Sequence, residues 1–387
     1  LEIFEKMIDI TAVQSRSELR QFAILPRLLY KDYRGFCPNL DTENIKILRP
    51  DKNPFFAHAK ARFFVARKNG QIVGRIGAII DEGFIQQYKE NTGYFGFFDC
   101  IHDIQVCQLL LQAAENWLKD NKMEKVIGPL SPSTAGEVGL MTSGFDEAPM
   151  LMMPFHPPYM MQMMEQLSAY KPIKNLYSYY YDVLKAPKID RHQLTERFAN
   201  YGDLKLRPFN MASMKSEINL LIDVYNDAWS NNWGFVPFTA AEIDHLGQSI
   251  KPLLIPDLIW FVELSGQPVG IILALPNLYQ IISDFNGRLL PLNWLKLLWR
   301  LKVSYSITKG RLALFGVRKQ YQRSRLGSFI AALLLEAIRE NGKKLGFVSA
   351  ELGWVLEDNS ALNLLLKNIG GSYIYKTFRI YQKEILS

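Results

Sequence analysis

The sequence predicts an α/β (α+β) protein of two related domains in tandem, each a mixed, mostly antiparallel sheet flanked by helices. Three observations predict it: a chain of 387 residues that is 48% hydrophobic and 21% charged, a β-hairpin pattern that occurs twice, and the same order of elements after each copy. One hydrophobic core seldom grows beyond about 250–300 residues, and there is enough apolar material here for two.

The first hairpin is Phe63-Phe64-Val65-Ala66-Arg67-Lys68-Asn69-Gly70-Gln71-Ile72-Val73-Gly74, and Trp260-Phe261-Val262-Glu263-Leu264-Ser265-Gly266-Gln267-Pro268-Val269-Gly270 echoes it. Aromatic and β-branched runs flank a two-residue turn in which glycine makes positive φ cheap. A helix-period segment from Ile104 to Asp120 then leads to the strand Lys125-Val126-Ile127-Gly128, as Ser328 to Glu340 leads to Phe347 through Leu352. Both halves end on aromatic alternation, Tyr177 to Val183 and Tyr375 to Tyr381, each after a short helix. The expected domains are therefore 1–190 and 200–387, divided near Pro187. The second copy has gained about two dozen residues, an insertion at 276–310 that includes the leucine- and tryptophan-rich run Leu289 to Arg300. The first copy has its own extra stretch, Pro129 to Pro158.

In the second copy the strand Leu312 to Val317 runs through Arg318-Lys319-Gln320-Tyr321-Gln322-Arg323-Ser324-Arg325-Leu326-Gly327-Ser328 into the apolar helix Phe329 to Ile338. A strand, a basic turn with glycine and a helix N-terminus make a nest of N–H donors at the positive end of a helix dipole, a seat for a pyrophosphate. The corresponding turn of the first copy, Phe98 to Asp103, holds Asp99 and Asp103 and neither glycine nor Lys or Arg, and is expected to repel one.

These residues resemble the GNAT acyltransferase superfamily, whose cofactor loop reads Gln/Arg-x-x-Gly-x-Gly/Ala. Gln322 and Gly327 match, and Arg325 stands where the first glycine would. Asn359 through Gly370 is similar to a later helix of that family, with Leu366 where a tyrosine often protonates the leaving thiolate. The resemblance implies two tandem GNAT-like domains, the first with a degenerate cofactor loop and the second with an acyl-CoA site. It assigns the pyrophosphate of coenzyme A to Gln322, Arg323, Ser324, Arg325, Leu326, Gly327 and Ser328, with Asn359 beside the cofactor, and thioester polarisation to the Val317 amide. The activity implied is direct transfer of an acyl group from acyl-CoA to an amine in a ternary complex. Nearly the whole chain also looks like a group of bacterial two-domain GNAT-like proteins, in which Pro157-Pro158-Tyr159 and Tyr225-Asn226-Asp227-Ala228-Trp229 fall at familiar positions.

Glu351, mid-strand between Ala350 and Leu352, is the candidate to take the amine's proton, directly or through water, against a structural ion pair. Tyr373, Tyr375 or water would protonate the thiolate. Tyr159, His156, Tyr225 and Trp229 are candidates to line the acceptor pocket, although a loop that packs aromatics and prolines together also accounts for His156 and Tyr159.

Other function classes are narrower. The basic residues form no stripe with interleaved aromatics, so no nucleic acid is expected despite a net charge of +7. Cys37, Cys100 and Cys107 are odd in number and lack metal-ligand spacing, so neither a disulfide framework nor a metal is expected. The charged first ten residues and the absence of a long apolar run point to the cytoplasm. For Trp294 to Trp299, burial against the C-terminal domain is expected, with contact to lipid or to a long acyl chain as the alternative. Two rivals to acyl transfer from CoA stay open: a Fem-type transferase using charged tRNA, and a non-catalytic acyl-CoA- or lipid-binding protein. The acceptor is expected to be a small-molecule amine or lipid-like compound.

Overall fold

The computed structural model describes residues 8–190, 196, 201–302 and 306–385. The chain forms two compact units, Leu1–Leu176 with Ile281–Ser304 and Lys376–Ser387, and Tyr177–Gln280 with Tyr305–Tyr375. Both are discontinuous, so the contiguous division into 1–190 and 200–387 does not describe them. Strands group by the edge to which they hydrogen-bond, whatever their place in the sequence: Tyr381–Glu384 pair with Lys125–Gly128 of the first unit.

In the first unit β1 (Ile8–Ala12), β2 (Ala59–Lys68), β3 (Gln71–Asp81), β4 (Thr92–Cys100) and β5 (Lys125–Gly128) are neighbours in that order. All pairs are antiparallel except β4 with β5. The helix Ile104–Asp120 buries Val106, Leu110, Leu111, Ala114 and Leu118, spaced on one helical side, against the sheet. Gly74 allows that approach, since a Cβ there would lie 2.7 Å from Leu110 Cδ1. Short strands β6 (Leu130–Ser131), β7 (Glu137–Val138) and β8 (Leu140–Ser143) follow, and β9 (Lys171–Asp182) leads to the second unit.

The second unit repeats the plan with β10 (Leu204–Pro208), β11 (Ile259–Leu264), β12 (Gln267–Pro276), β13 (Lys309–Val317) and β14 (Ser349–Leu356), antiparallel until the parallel pair β13 and β14. The helix Arg325–Lys344 covers this sheet with Leu326, Phe329, Ile330, Leu333 and Leu334. Gly270 stands where Gly74 does in the first unit, 2.5 Å from Ile330 Cγ2 if it carried a Cβ. The duplicated hairpins carry duplicated turns, with φ of +54° and +78° at Asn69-Gly70 and +49° and +78° at Ser265-Gly266. β15 (Ser372–Glu384) ends the chain.

The insertion departs from expectation. Its helix Asn293–Lys302 groups with the first unit, and none of its side chains is buried. Among the described residues no helix is long and apolar enough to cross a membrane.

Candidate active site

β13 and β14 pair only from Lys309↔Ser349 to Leu312↔Leu352, and β13 then runs on to Val317 without that neighbour. On its other edge β13 pairs with β12, with Ala313 bulged between the partners Leu312↔Ala274 and Leu314↔Leu273. The Arg318 amide donates to Val269 O at 2.8 Å, which fixes the alternation of the ladder. Gly316 then faces β12, while the backbone groups of Phe315 and Val317 turn to the open side. The carbonyls agree: Phe315 O accepts from Trp229 Nε1 at 3.0 Å and Val317 O from Gln322 Nε2 at 2.9 Å. Two strand amides about 7 Å apart are thus presented along an open edge. The Val317 amide is the donor that the family resemblance implies. The orientation of the Phe315 amide follows from register and not from residue type, so the sequence carries no signal for it.

Several side chains assigned to the phosphate loop build it. Gln322 Nε2 also donates to Ala228 O at 2.8 Å, tying the loop to the helix Met214–Trp229. Ser324 is the N-cap of the 325–344 helix: its hydroxyl donates to Tyr321 O and accepts from the Gly327 amide at 3.0 Å. A Cβ on Gly327 would lie 2.1 Å from Tyr321 O, so the turn closes only around glycine. The first-turn amides of Arg325 and Leu326 have no acceptor within the helix. Arg323, at φ +58°, and Arg325 are exposed, and among the described residues neither pairs with a carboxylate. The other cations are engaged, Arg318 with Asp223 at 2.5 Å and Lys319 Nζ with Asn231 at 2.9 Å. What remains open is two helix amides and two guanidinium groups, a donor set that fits a diphosphate.

Where β13 and β14 part, Trp229 bonds to Phe315 O and lies edge-on to Trp354 at 5.8 Å, so its indole spans the gap. Tyr225 is buried behind it, 5.0 Å from Trp229 and packed on Phe235 and Phe238. Gly316 seats this helix, since a Cβ there would meet Ala228 Cβ at 2.9 Å.

Glu351 is fully buried on β14, directly opposite Arg311 of β13. Its Oε1 is 3.7 Å from Arg311 Nε, and Tyr375 O–H donates to its other oxygen. Arg311 also donates to Gly353 O at 3.3 Å. Taking two charges out of water costs several kcal/mol per ion before they pair. Glu351 and Tyr375, chosen separately from the sequence, are brought into one hydrogen-bonded group. Asn359 caps the helix Ser360–Asn368 by accepting from the Leu362 amide at 3.2 Å, and Leu366 lies in the core of the unit. Ser328 is exposed and its hydroxyl donates to Ser324 O at 3.2 Å.

The equivalent place in the first unit is filled. Ile101 N donates to Val73 O at 2.9 Å as Arg318 N does to Val269 O, so Cys100 corresponds to Val317. Cys100 O accepts from Tyr159 O–H at 2.7 Å, and the Phe97 amide is taken by Ser131 Oγ at 2.7 Å. β4 continues through Cys100, so the turn is shorter than expected. Asp103 caps the next helix and pairs with Lys68 at 2.6 Å, placing a carboxylate where a phosphate would need donors.

His156 and Tyr159, candidates for the acceptor pocket, are buried in this unit, as a loop that packs aromatics and prolines together also leaves them. Tyr159 stacks on His102 at 4.9 Å, and His156 Nδ1 accepts from the Met141 amide at 3.4 Å. Burial pushes the His156 imidazole down to about 4, with Asp99 opposing and Arg75 assisting. The unfolded chain, with an ordinary histidine near 6.5, then binds the extra proton first, so stability is held above pH 6.5 and lost as pH falls toward 4. The loss is on the order of 3 kcal/mol. Urea melts at pH 7 and 4.5 should show a shallower pH dependence for His156→Asn, whose side-chain carbonyl still accepts from Met141. An unchanged slope would remove His156 as the source.

Among the described residues no group of three His, Cys, Asp or Glu side chains could hold a metal ion. No protein-family model matches the chain. It is 36% identical over 381 residues to the bacterial ceramide synthase of Caulobacter vibrioides (strain NA1000 / CB15N), covering 98% of both chains. It is 38% identical over 373 residues to Protein YghO of Escherichia coli (strain K12), covering 96% of this chain and 94% of that one. Among solved structures, a tandem GNAT protein from the clavulanic acid biosynthesis pathway superposes with a TM-score of 0.56 at 10% identity, over 98% of this chain and 99% of that one. With the doubled sheet plan, the splayed strands and full-length identity above one third, the chain belongs to the acyltransferase family of the bacterial ceramide synthase and Protein YghO, built on a tandem GNAT fold.

Proposed function

We propose that the chain is an acyl-CoA-dependent N-acyltransferase whose reacting groups all lie in the second unit, and whose acceptor is the amine of a lipid-like molecule. The observation that carries this reading is the contrast between the two copies. In the second copy Trp229 and Gln322 take carbonyls of the strand edge and the helix start is flanked by the exposed Arg323 and Arg325, whereas in the first copy Ser131 takes the Phe97 amide and the Asp103 carboxylate caps the helix. The name of the Caulobacter relative suggests the acceptor class, since ceramide is the amide of a long-chain amino alcohol.

The pyrophosphate would sit on the Arg325 and Leu326 amides beside Arg323 and Arg325. The thioester carbonyl would accept from the Phe315 or Val317 amide, donors that lower the barrier where negative charge develops. The amine nitrogen attacks the thioester carbon, the N–C bond forms and the C–S bond breaks. Glu351 takes the amine's proton. Tyr375 gives its hydroxyl proton to the thiolate and regains one from Glu351, so protons balance without a further reactant. Much of the rate gain then rests on holding amine and thioester together.

The test is to incubate the full chain with short- and long-chain acyl-CoA and a long-chain amino alcohol, following free thiol and N-acyl product by mass spectrometry. Acyl-CoA-dependent amide formation is expected. Product only with charged tRNA would transfer the chain to the Fem-type reading, and tight binding of CoA without turnover to the non-catalytic one.

A further inference from the structure

The helix Asn293–Lys302 is mounted with its polar side inward. Arg300 donates to Ile281 O and to Asp284 at 2.6 Å and lies over the Phe285 ring at 5.3 Å, and Lys296 reaches Asp284 at 2.7 Å. Asn293 fastens the start of the helix to Arg288 O at 2.6 Å. The apolar side faces outward: Trp294, Leu295, Leu298 and Trp299, on one side at 100° per residue, are 42%, 48%, 45% and 55% exposed. Leu290 and Leu292, in the turn before it, are 70% and 68% exposed. A surface helix of a globular protein is mounted the other way round, and contiguous exposed apolar surface of this kind marks an interaction site.

We propose that this face docks on an anionic lipid bilayer, with the two tryptophans and the leucines in the interface and the basic side chains at its edges. Charge selects this occupant. From Asp284 to Lys302 there are four basic side chains and one acidic one, and that acid is already held by Lys296 and Arg300. Arg288 and Lys302 are left exposed at the two ends. A second copy laid face to face would bring these cations together, whereas anionic headgroups complement them. Leu and Trp on one side with Lys and Arg around them is the composition of a helix lying in the plane of a membrane surface, and ten residues, about 15 Å, are too few to cross one. Docking does not depend on the acyl-transfer reading, because it rests on the exposed side chains and the charge of the helix itself.

Flotation of the full-length protein with vesicles tests this. Binding to vesicles of phosphatidylglycerol and phosphatidylcholine is expected to exceed binding to phosphatidylcholine alone by at least tenfold, with a blue shift in tryptophan emission. The double variant Leu298→Glu/Trp299→Glu should lower binding at least tenfold with an unchanged circular dichroism spectrum. The double variant Arg288→Glu/Lys302→Glu, at exposed positions that bear no packing, should abolish the preference for anionic lipid. Failure of the unaltered protein to bind either vesicle, or unchanged binding of both variants, would overturn the proposal. So would a dimer in light scattering that Leu298→Glu/Trp299→Glu dissociates without any vesicle binding, which would give the face to a second copy.

Discussion

Gly327→Ala is expected to weaken coenzyme A binding at least a hundredfold, about 2.7 kcal/mol. The added methyl meets the Tyr321 carbonyl at 2.1 Å, a backbone atom that cannot swing aside as a side chain would. The turn between Tyr321 and Ser324 must open, and with it the N-cap in which Ser324 holds both Tyr321 O and the Gly327 amide. The Arg325 and Leu326 amides, which follow this cap directly, are then re-aimed. Crowding at one well-packed position costs about 1–3 kcal/mol, so the unit should fold with a lowered melting temperature. Calorimetric titration with coenzyme A, beside a thermal melt, separates the two effects. Arg325→Ala leaves the turn intact and should weaken binding about tenfold by removing one charge. Unchanged affinity in Gly327→Ala would place the ligand elsewhere.

Glu351→Gln is expected to lower kcat by a factor of about 10² to 10⁴, the usual range for a positioned acid or base, with coenzyme A affinity unchanged within about threefold. The amide keeps the shape of the carboxylate and still accepts from Tyr375 O–H, but cannot take up the amine's proton. It also leaves Arg311 opposite a neutral partner in a buried position, so lower stability is expected as well. A purely structural role would show as lost stability with kcat preserved in the folded fraction, and steady-state kinetics below the melting transition distinguishes the cases. Tyr375→Phe should lower kcat with KM for the acyl donor little changed.

The parts of the fold that local chemistry dictates were legible in the sequence. Asn69-Gly70 and Ser265-Gly266 specify their turns by positive φ, and the long helices announce themselves by apolar spacing that matches Gly74 and Gly270 beneath them. The turn from Val317 into the 325–344 helix was legible for the same reason. The grouping of β15 from Lys376 onward, and of the insertion, with the first unit was not, because nothing in Tyr381–Glu384 tells which edge those residues will pair with. The outward face of the 293–302 helix was hidden too: the leucine and tryptophan pattern gives a helix with an apolar side, and only the anchoring of Arg300 and Lys296 on Asp284 says which way that side points.

At the candidate site the residue types were legible in the sequence, and the contacts of their side chains were not. The side chains of Gln322, Ser324 and Asn359, residues that the resemblance places at the cofactor, tie the loop and cap helices. Such residues are sought both for hydrogen-bonding a ligand and for satisfying helix termini, and composition alone cannot separate the uses. The Phe315 amide was invisible because a backbone donor carries no signature in its side chain. Ser131 could be recognised as the plug of the first copy only once the close approach of Gly96 to the Leu130 carbonyl was seen.

The most direct test of the central claim is a crystal structure of the full chain grown with coenzyme A. The diphosphate is expected within hydrogen-bonding distance of the Arg325 and Leu326 amides, with the thiol directed along the open edge of β13 toward Phe315. Side chains closing that corner, or a nucleotide held beside Asp103 in the first unit, would contradict the assignment of the active site.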